Sequence, residues 1–593
     1  MTTMVSHHNE DAWWKEAVVY QIYPRSFKDS NNDGIGDLKG AMEKLDYLKS
    51  LGVDVIWFSP IYESPMVDMG YDISDYRSIH HEFGTMKDWE LLCEQVHKRG
   101  MKLMMDLVVN HTSDQHKWFQ DSCEKKNGKD DWYIWRKPRF VNGERKEPTN
   151  WISCFGGSTW KYHEGRGEYY LHCFAAEQPD LNWENEQVRQ EVYDTMRFWM
   201  DKGCDGFRMD VINMISKDPR YLDAPITCPD SLYQPGFQYI MNGPRVHEYL
   251  REMNEQVYSK YPNSINVGEA PMANVQDGLQ YVGASRKEMQ MIFHFEHVEI
   301  DATNGNKYIV KDWILPELKT IFNRWQNTMQ KGNGWNSLYL ENHDQPRSVS
   351  RYADDGEYRD ESVKMLATFH LSLSGTVFLF QGQEIGMVNK KKWGLEDIRD
   401  IDAINYYNDT LNARCEHSGS KKEDVDMSDI LDVMPIKNRD NARTPVQWTD
   451  EAYAGFSESE PWISVNDDYK EYNVASQVGV EGSHFEYYKK MLRVRKEHKT
   501  LTYGVFEDVD HNHLEVYAFT RTGIYDKYLV VCNFSQDTVQ WKVPDHVERS
   551  GEFVIGSYDE QELSSVIELR PYEARVYKVV DKLFFVDARR EEC

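Results

Sequence analysis

The chain has 593 residues, with 69 Lys and Arg against 98 Asp and Glu, for a formal net charge of −29. Its 40% hydrophobic and 13% aromatic residues suffice for a sizeable core, and its acid excess repels nucleic-acid backbones and anionic membrane surfaces. No apolar run approaches the ~20 residues that span a bilayer, and the first eleven residues hold no secretory h-region. Nine cysteines are scattered without CxxC pairs. That pattern suits reduced thiols in a cytoplasmic enzyme better than a disulfide framework or a zinc site.

In chain order, short apolar or aromatic runs predict strands at 17–24, 53–60, 102–111, 206–210, 265–270, 289–295, 337–344 and 376–382. Amphipathic helical patterns fall between them. Those at 39–51, 88–99 and 186–202 each stop at a glycine, Gly52, Gly100 or Gly203, as left-handed C-caps do. Eight strands with helical crossovers point to an α/β fold, a parallel (β/α)8 barrel. The stretch 112–179 is far longer than a ~2–6-residue connection and reads as an inserted domain over the barrel mouth. The stretch 383–457 reads as an extra subdomain on the same rim. Beyond 499 short alternating strands, such as 514–520, 528–534 and 575–580, predict a C-terminal antiparallel β-sandwich domain. The organisation is then 1–111 plus 180–499 for the barrel, 112–179 for the insertion and 500–593 for the β-domain.

In such barrels chemistry sits at the C-terminal ends of strands. Those ends carry Asn110 and His111, then Arg208 and Asp210, then Glu269, then Asn342, His343 and Asp344. Arg208 and Asp210 lie two apart on a strand and share a face, so the guanidinium is expected to keep Asp210 ionised. Glu269 ends a largely apolar strand, where partial desolvation favours a retained proton. One charged and one protonated carboxyl, about 5–5.5 Å apart, form the nucleophile and acid of a retaining glycosidase. An ordinary barrel-interior salt bridge is the competing explanation of Arg208 and Asp210.

The segments DLVVNH (106–111), GFRMD (206–210), GE (268–269) and ENHD (341–344) resemble the four signature regions of the α-amylase superfamily, glycoside hydrolase family 13. QPDLN (178–182) resembles the fifth region in its oligo-1,6-glucosidase and α-glucosidase branch. YQIYPRSF (20–27), MGYDISDY (69–76) and RDNARTP (439–445) extend the resemblance over nearly the whole chain. It implies Asp210 as nucleophile, Glu269 as general acid/base and Asp344 as the carboxylate that holds the 2- and 3-hydroxyls. It implies hydroxyl contacts from His111 and His343, a stacking platform in Tyr71, and pocket walls in Phe155, Phe174 and Gln178. Asp68 and Arg439 would close the pocket around the 4-hydroxyl of a terminal glucose, with Arg443 the alternative to Arg439.

A closed pocket dictates exo action on a small oligosaccharide or disaccharide. Val211, directly after the nucleophile, matches the form the branch associates with α-1,6 bonds, although one side chain decides only ~1–3 kcal/mol. The 297–301 loop, HVEID, lacks the Arg- and Asp-rich motif of the related sucrose isomerases. The expected activity is therefore an isomaltase-type α-glucosidase. The alternatives are a maltase or sucrase preference, a sucrose isomerase, or a trehalose-processing transglucosidase. The transporter heavy chains of this fold are disfavoured, because they need a membrane helix and need not keep the three carboxylates.

One further motif stands apart. DSNNDGIGD (29–37) spaces oxygen ligands at alternate positions with a glycine at the sixth, like the start of an EF-hand loop but without its position-12 Glu. The expected cofactor is a structural Ca²⁺, or Mg²⁺ in its place, held by Asp29, Asn31, Asp33, Asp37 and the Ile35 carbonyl, with no organic cofactor. A monomer or weak homo-oligomer is expected, with neither nucleic-acid nor membrane partners.

Overall fold

The computed structural model describes residues 12–229, 231–303 and 305–579. The start of the expected barrel segment (1–11) and the end of the expected β-domain (580–593, with Cys593) lie outside them. Eight parallel strands form the central sheet: β1 Val18–Ile22, β2 Val55–Phe58, β3 Lys102–Leu107, β4 Gly206–Met209, β5 Ile265–Glu269, β6 Met291–Phe293, β7 Ser337–Leu338 and β8 Thr376–Phe380. Their order is β6-β5-β4-β3-β2-β1-β8-β7, every neighbour parallel. The β6–β7 seam closes through side chains, with Ser337 Oγ donating to the Ile292 carbonyl at 2.6 Å and Tyr339 Oη to the His294 carbonyl at 2.6 Å. This explains why β7 is far shorter than the expected 337–344. With ladder partners on one side only, pairing ends at Leu338 and the chain runs on to His343 and Asp344 as an irregular segment. The (β/α)8 barrel is the fold.

The expected 39–51 helix is two pieces, Leu38–Glu43 and Leu45–Leu51, because the backbone leaves helical angles at Lys44 (φ −104°, ψ 4°). Gly52, Gly100 and Gly203 all take positive φ, at 108°, 68° and 114°. The helix Met86–Lys98 starts two residues before expectation, where Thr85 and Asp88 form a reciprocal cap.

Within 112–179 lie the helix Lys117–Cys123 and a three-stranded antiparallel sheet ordered Trp135–Arg136, Glu168–Leu171, Trp160–His163. An antiparallel bridge between His111 and Asp180 pins the two ends of this excursion together. Its core, Trp151, Trp160, Tyr169 and Leu171, also packs on Val211 just beyond β4. The rim stretch contributes the helices Ile401–Ser418 and Ser428–Lys437. The first donates from Asn405 Nδ2 to the Phe155 carbonyl at 3.0 Å, so the rim touches the insertion.

The C-terminal part is a five-stranded antiparallel sheet ordered Val505–Asp508, Val516–Thr522, Lys527–Asn533, Ala574–Val579, Gly551–Gly556, and a pair Val539–Lys542 with Val566–Leu569. Trp541, Leu569 and Tyr577 fill the core of this β-sandwich. Among the described residues no helix is long and apolar enough to cross a membrane, and all eight described cysteines are free thiols.

Candidate active site

Strand register sets the centre of the site. Arg208 on β4 stands opposite Asp106 on β3, and Met209 stands opposite Gly268 on β5. The next residues, Asp210 and Glu269, therefore leave adjacent strands at one level. Gly268 is required there: a Cβ would lie 2.0 Å from Met289 Cε and 2.6 Å from Ile212 Cγ2.

Arg208 is 1% exposed and joins three acids. Its Nη1 donates to Asp210 Oδ1 at 2.8 Å and to Asp106 Oδ1 at 2.9 Å, while Nη2 lies 2.7 Å from Glu269 Oε2. Trp57 and Tyr71 flank the guanidinium, their ring centroids 5.4 and 5.7 Å away. The Val211 amide donates to Glu269 Oε2 at 3.2 Å. Val211 holds φ 34°, ψ 44°, a left-handed conformation costly for a β-branched residue, and this turn aims that amide at the acid.

Three carboxyls, not Asp210 alone, share the Arg208 cation. Burial pushes Asp210 well above the usual carboxylate range, and the charges of Glu269 and Asp106 add to that, with Arg208 pulling the other way. Asp106 is likewise pushed up to about 6 by burial against the pull of Arg208.

A second cluster lies beside the first. Arg443 Nη2 donates to Asp344 Oδ1 at 2.9 Å, and Arg439 Nη1 donates to the same oxygen at 3.2 Å. Arg439 Nη2 also reaches Asp68 Oδ1 at 3.3 Å, so Arg439, not Arg443, joins Asp68 to Asp344. Burial alone would raise Asp344, but His343, Arg439 and Arg443 outweigh it and hold the carboxyl far below the usual range. His343 is itself depressed to about 3 by burial, so near neutral pH the two arginines carry that effect. Asp68, more deeply buried, is pushed up to about 6 despite Arg439 and Arg443.

His343 is locked in a relay. Gln21 Nε2 donates to its Nδ1 at 2.8 Å, which leaves the proton on Nε2, 2.6 Å from Tyr71 Oη and 3.3 Å from Asp344 Oδ2. Tyr71 Oη then donates to Asp106 Oδ2 at 3.2 Å. The Tyr71 ring stacks on His343 with centroids 5.2 Å apart, so one face is already covered. From the insertion, Gln178 Nε2 reaches Asp68 Oδ2 at 3.3 Å and His111 Nε2 at 3.2 Å. Phe174 packs on His111 (5.1 Å) and on Phe155 (5.5 Å), and Phe155 lies 5.1 Å from the Arg439 guanidinium. His111 is lowered to about 4 by burial and stays neutral.

The structure adds residues that the sequence reading omits. Asp400, buried at the N-cap of Ile401–Ser418, accepts from Arg439 Nε at 2.7 Å and from the Arg439 amide at 3.0 Å. Lys217, whose side chain is 2% exposed, pairs with Asp180 at 2.6 Å and donates to Asn110 Oδ1 at 2.6 Å, under the neck of the insertion. Asp106 stands inside a quoted motif, but its mid-strand position disguised it as core. Asp400 offers no local signal at all, since its partner lies 39 residues on.

The acidic loop at 29–37 follows β1. Asp29 accepts from the amides of Asn31, Asn32 and Gly34 and from Ser457 Oγ, at 2.6–2.9 Å. Asp33 accepts from the Ile35 amide at 2.8 Å, and Asp37 caps the next helix through the Gly40 amide at 2.8 Å. The fit to a cation is partial: the three carboxylates do not each bring an oxygen within 4.8 Å of the others. Asn31 and Asp33 keep acceptor capacity, whereas Asp29 is largely spent on its four donors and Asp37 on the Ser30 amide and hydroxyl and the Gly40 amide.

A buried cluster of acids around one arginine at adjacent strand ends stands where a parallel barrel places its chemistry, and paired carboxyls there are what glycoside cleavage uses. Comparison agrees. The α-amylase catalytic-domain profile matches residues 21–504, and the profile of the C-terminal domain of the α-amylase SusG matches 516–576. The chain is 52% identical to an oligo-1,6-glucosidase of Parageobacillus thermoglucosidasius, covering 96% of this chain and 99% of that protein. Among solved structures, trehalose-6-phosphate hydrolase from Bacillus licheniformis superposes with a TM-score of 0.88 at 45% identity, covering 96% and 100% of the two chains. Isomaltulose synthase from Protaminobacter rubrum superposes with a TM-score of 0.90 at 39% identity, covering 97% and 100%. The chain belongs to the α-amylase family and is a glycoside hydrolase.

Proposed function

We propose that this hydrolase is an exo-acting, retaining α-glucosidase that removes glucose from the non-reducing end of isomaltose-type and other short α-glucosides. The observation that carries the reading is the Arg208 bridge, one guanidinium touching both Asp210 and Glu269 at adjacent strand ends. In the first step Asp210 attacks the anomeric carbon while Glu269 protonates the departing oxygen. In the second, Glu269 takes a proton from water, which attacks the same carbon and frees Asp210. The cluster must begin with Asp210 ionised and the proton on Glu269. Arg208 touches both acids, and its charge favours the ionised form of Asp210.

Asp68 and Asp344, joined by Arg439, supply charged acceptors and donors for the hydroxyls of one terminal glucose, which supports exo action. Charge-assisted bonds of this kind discriminate strongly against a sugar lacking the matching hydroxyl. Val211 and the oligo-1,6-glucosidase relative favour α-1,6 linkages.

The likeness to isomaltulose synthase keeps a second reading open, in which a sugar hydroxyl rather than water captures the glucosyl-enzyme. Incubation with isomaltose, maltose, sucrose, trehalose and trehalose 6-phosphate, followed by product identification, tests both. Glucose released fastest from isomaltose is the expected result. Isomaltulose as the main product from sucrose would favour the transferase reading, and a preference for trehalose 6-phosphate would overturn the linkage assignment.

The loop at 29–37 is proposed to take one structural Ca²⁺, or Mg²⁺, through Asn31, Asp33, Asp37 and the Ile35 carbonyl with Asp29 behind them. The support is its alternating oxygens and the Gly34 turn (φ 86°), where a Cβ would lie 2.2 Å from the Glu460 carbonyl oxygen. The free thiols suit a reducing, cytoplasmic setting.

A further inference from the structure

A second set of metal-ligating side chains lies outside both the active site and the acidic loop. Glu63, His80 and His81 each place one ligand atom within 4.8 Å of the others, the only such group among the described residues. A hairpin assembles it. Glu63 ends the strand Tyr62–Glu63, which pairs antiparallel with Asp75–Ile79, and the two histidines follow directly. The 64–74 loop between the arms carries Asp68 and Tyr71.

The spacing is that of ligands on one ion. His80 Nδ1 lies 3.3 Å from Glu63 Oε1. Two ligands held at ~2.0–2.1 Å by a tetrahedral Zn²⁺ stand about 3.3–3.4 Å apart. The far side of His80 is arranged for the same purpose. Its Nε2 lies 3.4 Å from Glu82 Oε2, and Glu82 is ion-paired to Arg25. A carboxylate on the second ring nitrogen fixes the tautomer and orientation of a ligating histidine. The His80 side chain is 6% exposed, so its ring is preset, whereas Glu63 is 41% exposed and His81 lies open to solvent. An ion can therefore enter.

We propose that Glu63 Oε1, His80 Nδ1 and a ring nitrogen of His81 form a site for a divalent transition cation of the zinc type, with water as fourth ligand. An ion there ties both arms of the hairpin whose loop presents Asp68 and Tyr71.

The test uses the full-length chain without an affinity tag. Zn²⁺ is titrated calorimetrically, and Co²⁺ by its visible d–d absorption, which reports coordination geometry. One tight equivalent is expected, with no sulfur-to-cobalt charge-transfer band, a control against the exposed thiol of Cys228. Glu63→Gln and His81→Ala should each weaken binding at least tenfold and leave the metal-free circular dichroism unchanged. Should His81→Ala lower the melting temperature, His81→Gln replaces it and should show the same loss. No saturable binding to the wild type, or wild-type affinity in both variants, would overturn the proposal.

Discussion

Asp400 touches no substrate in the proposed mechanism, yet it holds the arginine on which the grip depends. Arg439 turns Nε and Nη2 to Asp400 Oδ1, each at 2.7 Å, while Nη1 reaches Asp344 at 3.2 Å and Nη2 also reaches Asp68 at 3.3 Å. The anchor is thus its shortest contact, and loosening it frees the guanidinium from both sugar-facing acids. Asp400→Asn preserves volume and one acceptor oxygen but removes the charge. Hydrogen bonds to charged groups contribute about 1.5–3 kcal/mol, and each 1.4 kcal/mol is a factor of ten. kcat/KM for p-nitrophenyl α-glucoside should therefore fall roughly 10- to 150-fold. The 4-deoxy substrate separates this mechanism from general damage: if Arg439 and Asp68 act on the 4-hydroxyl, losses from variant and deoxygenation should be markedly less than additive. A kcat/KM within twofold of wild type, or fully additive losses in a variant that melts normally, would refute the reasoning.

Other outcomes follow from the same geometry. Val211→Thr should shift the isomaltose-to-maltose ratio of kcat/KM toward maltose, within the ~1–3 kcal/mol that one group in a pocket decides. Asp68 sits near 6 in the folded chain, above its usual 3.8. Its contribution to stability is therefore full below pH ~4 and lost as pH rises through 6. In a melting series from pH 4 to 7, the temperature difference between Asp68→Asn and wild type should move in the variant's favour; a constant difference would contradict the assignment. If the 29–37 loop holds Ca²⁺, chelation should lower the wild-type melting temperature and leave Asp33→Ala unaffected, whereas equal behaviour of the two would remove the ion from that loop.

The barrel was legible because its signal is local: apolar runs of strand length, four of them ending in Asp, Glu, His or Asn, with helical patterns stopping at glycine. Arg208 and Asp210 announce a shared face by their spacing alone. What stayed hidden depends on contacts between distant segments. Asp400 and Arg439 meet across the fold of the rim, and only coordinates separate Arg439 from Arg443, because both reach Asp344. The neighbours of Asp210 were hidden for a related reason. Its neighbour in sequence is one cation, but burial and then the acids Glu269 and Asp106, which push the other way, come from the adjacent strands. Strand β7 was overextended because nothing local reveals that its outer edge is held by hydroxyls rather than by a ladder.

The central claim is that a glucosyl group passes through a bond to Asp210. Incubation with 5-fluoro-α-glucosyl fluoride slows the release step, and peptide mass mapping then locates the label. The account predicts one fluoroglucosyl group on the peptide containing Asp210, with product glucose first appearing as the α-anomer. Label on another residue, no covalent adduct under turnover, or β-glucose as first product would contradict it.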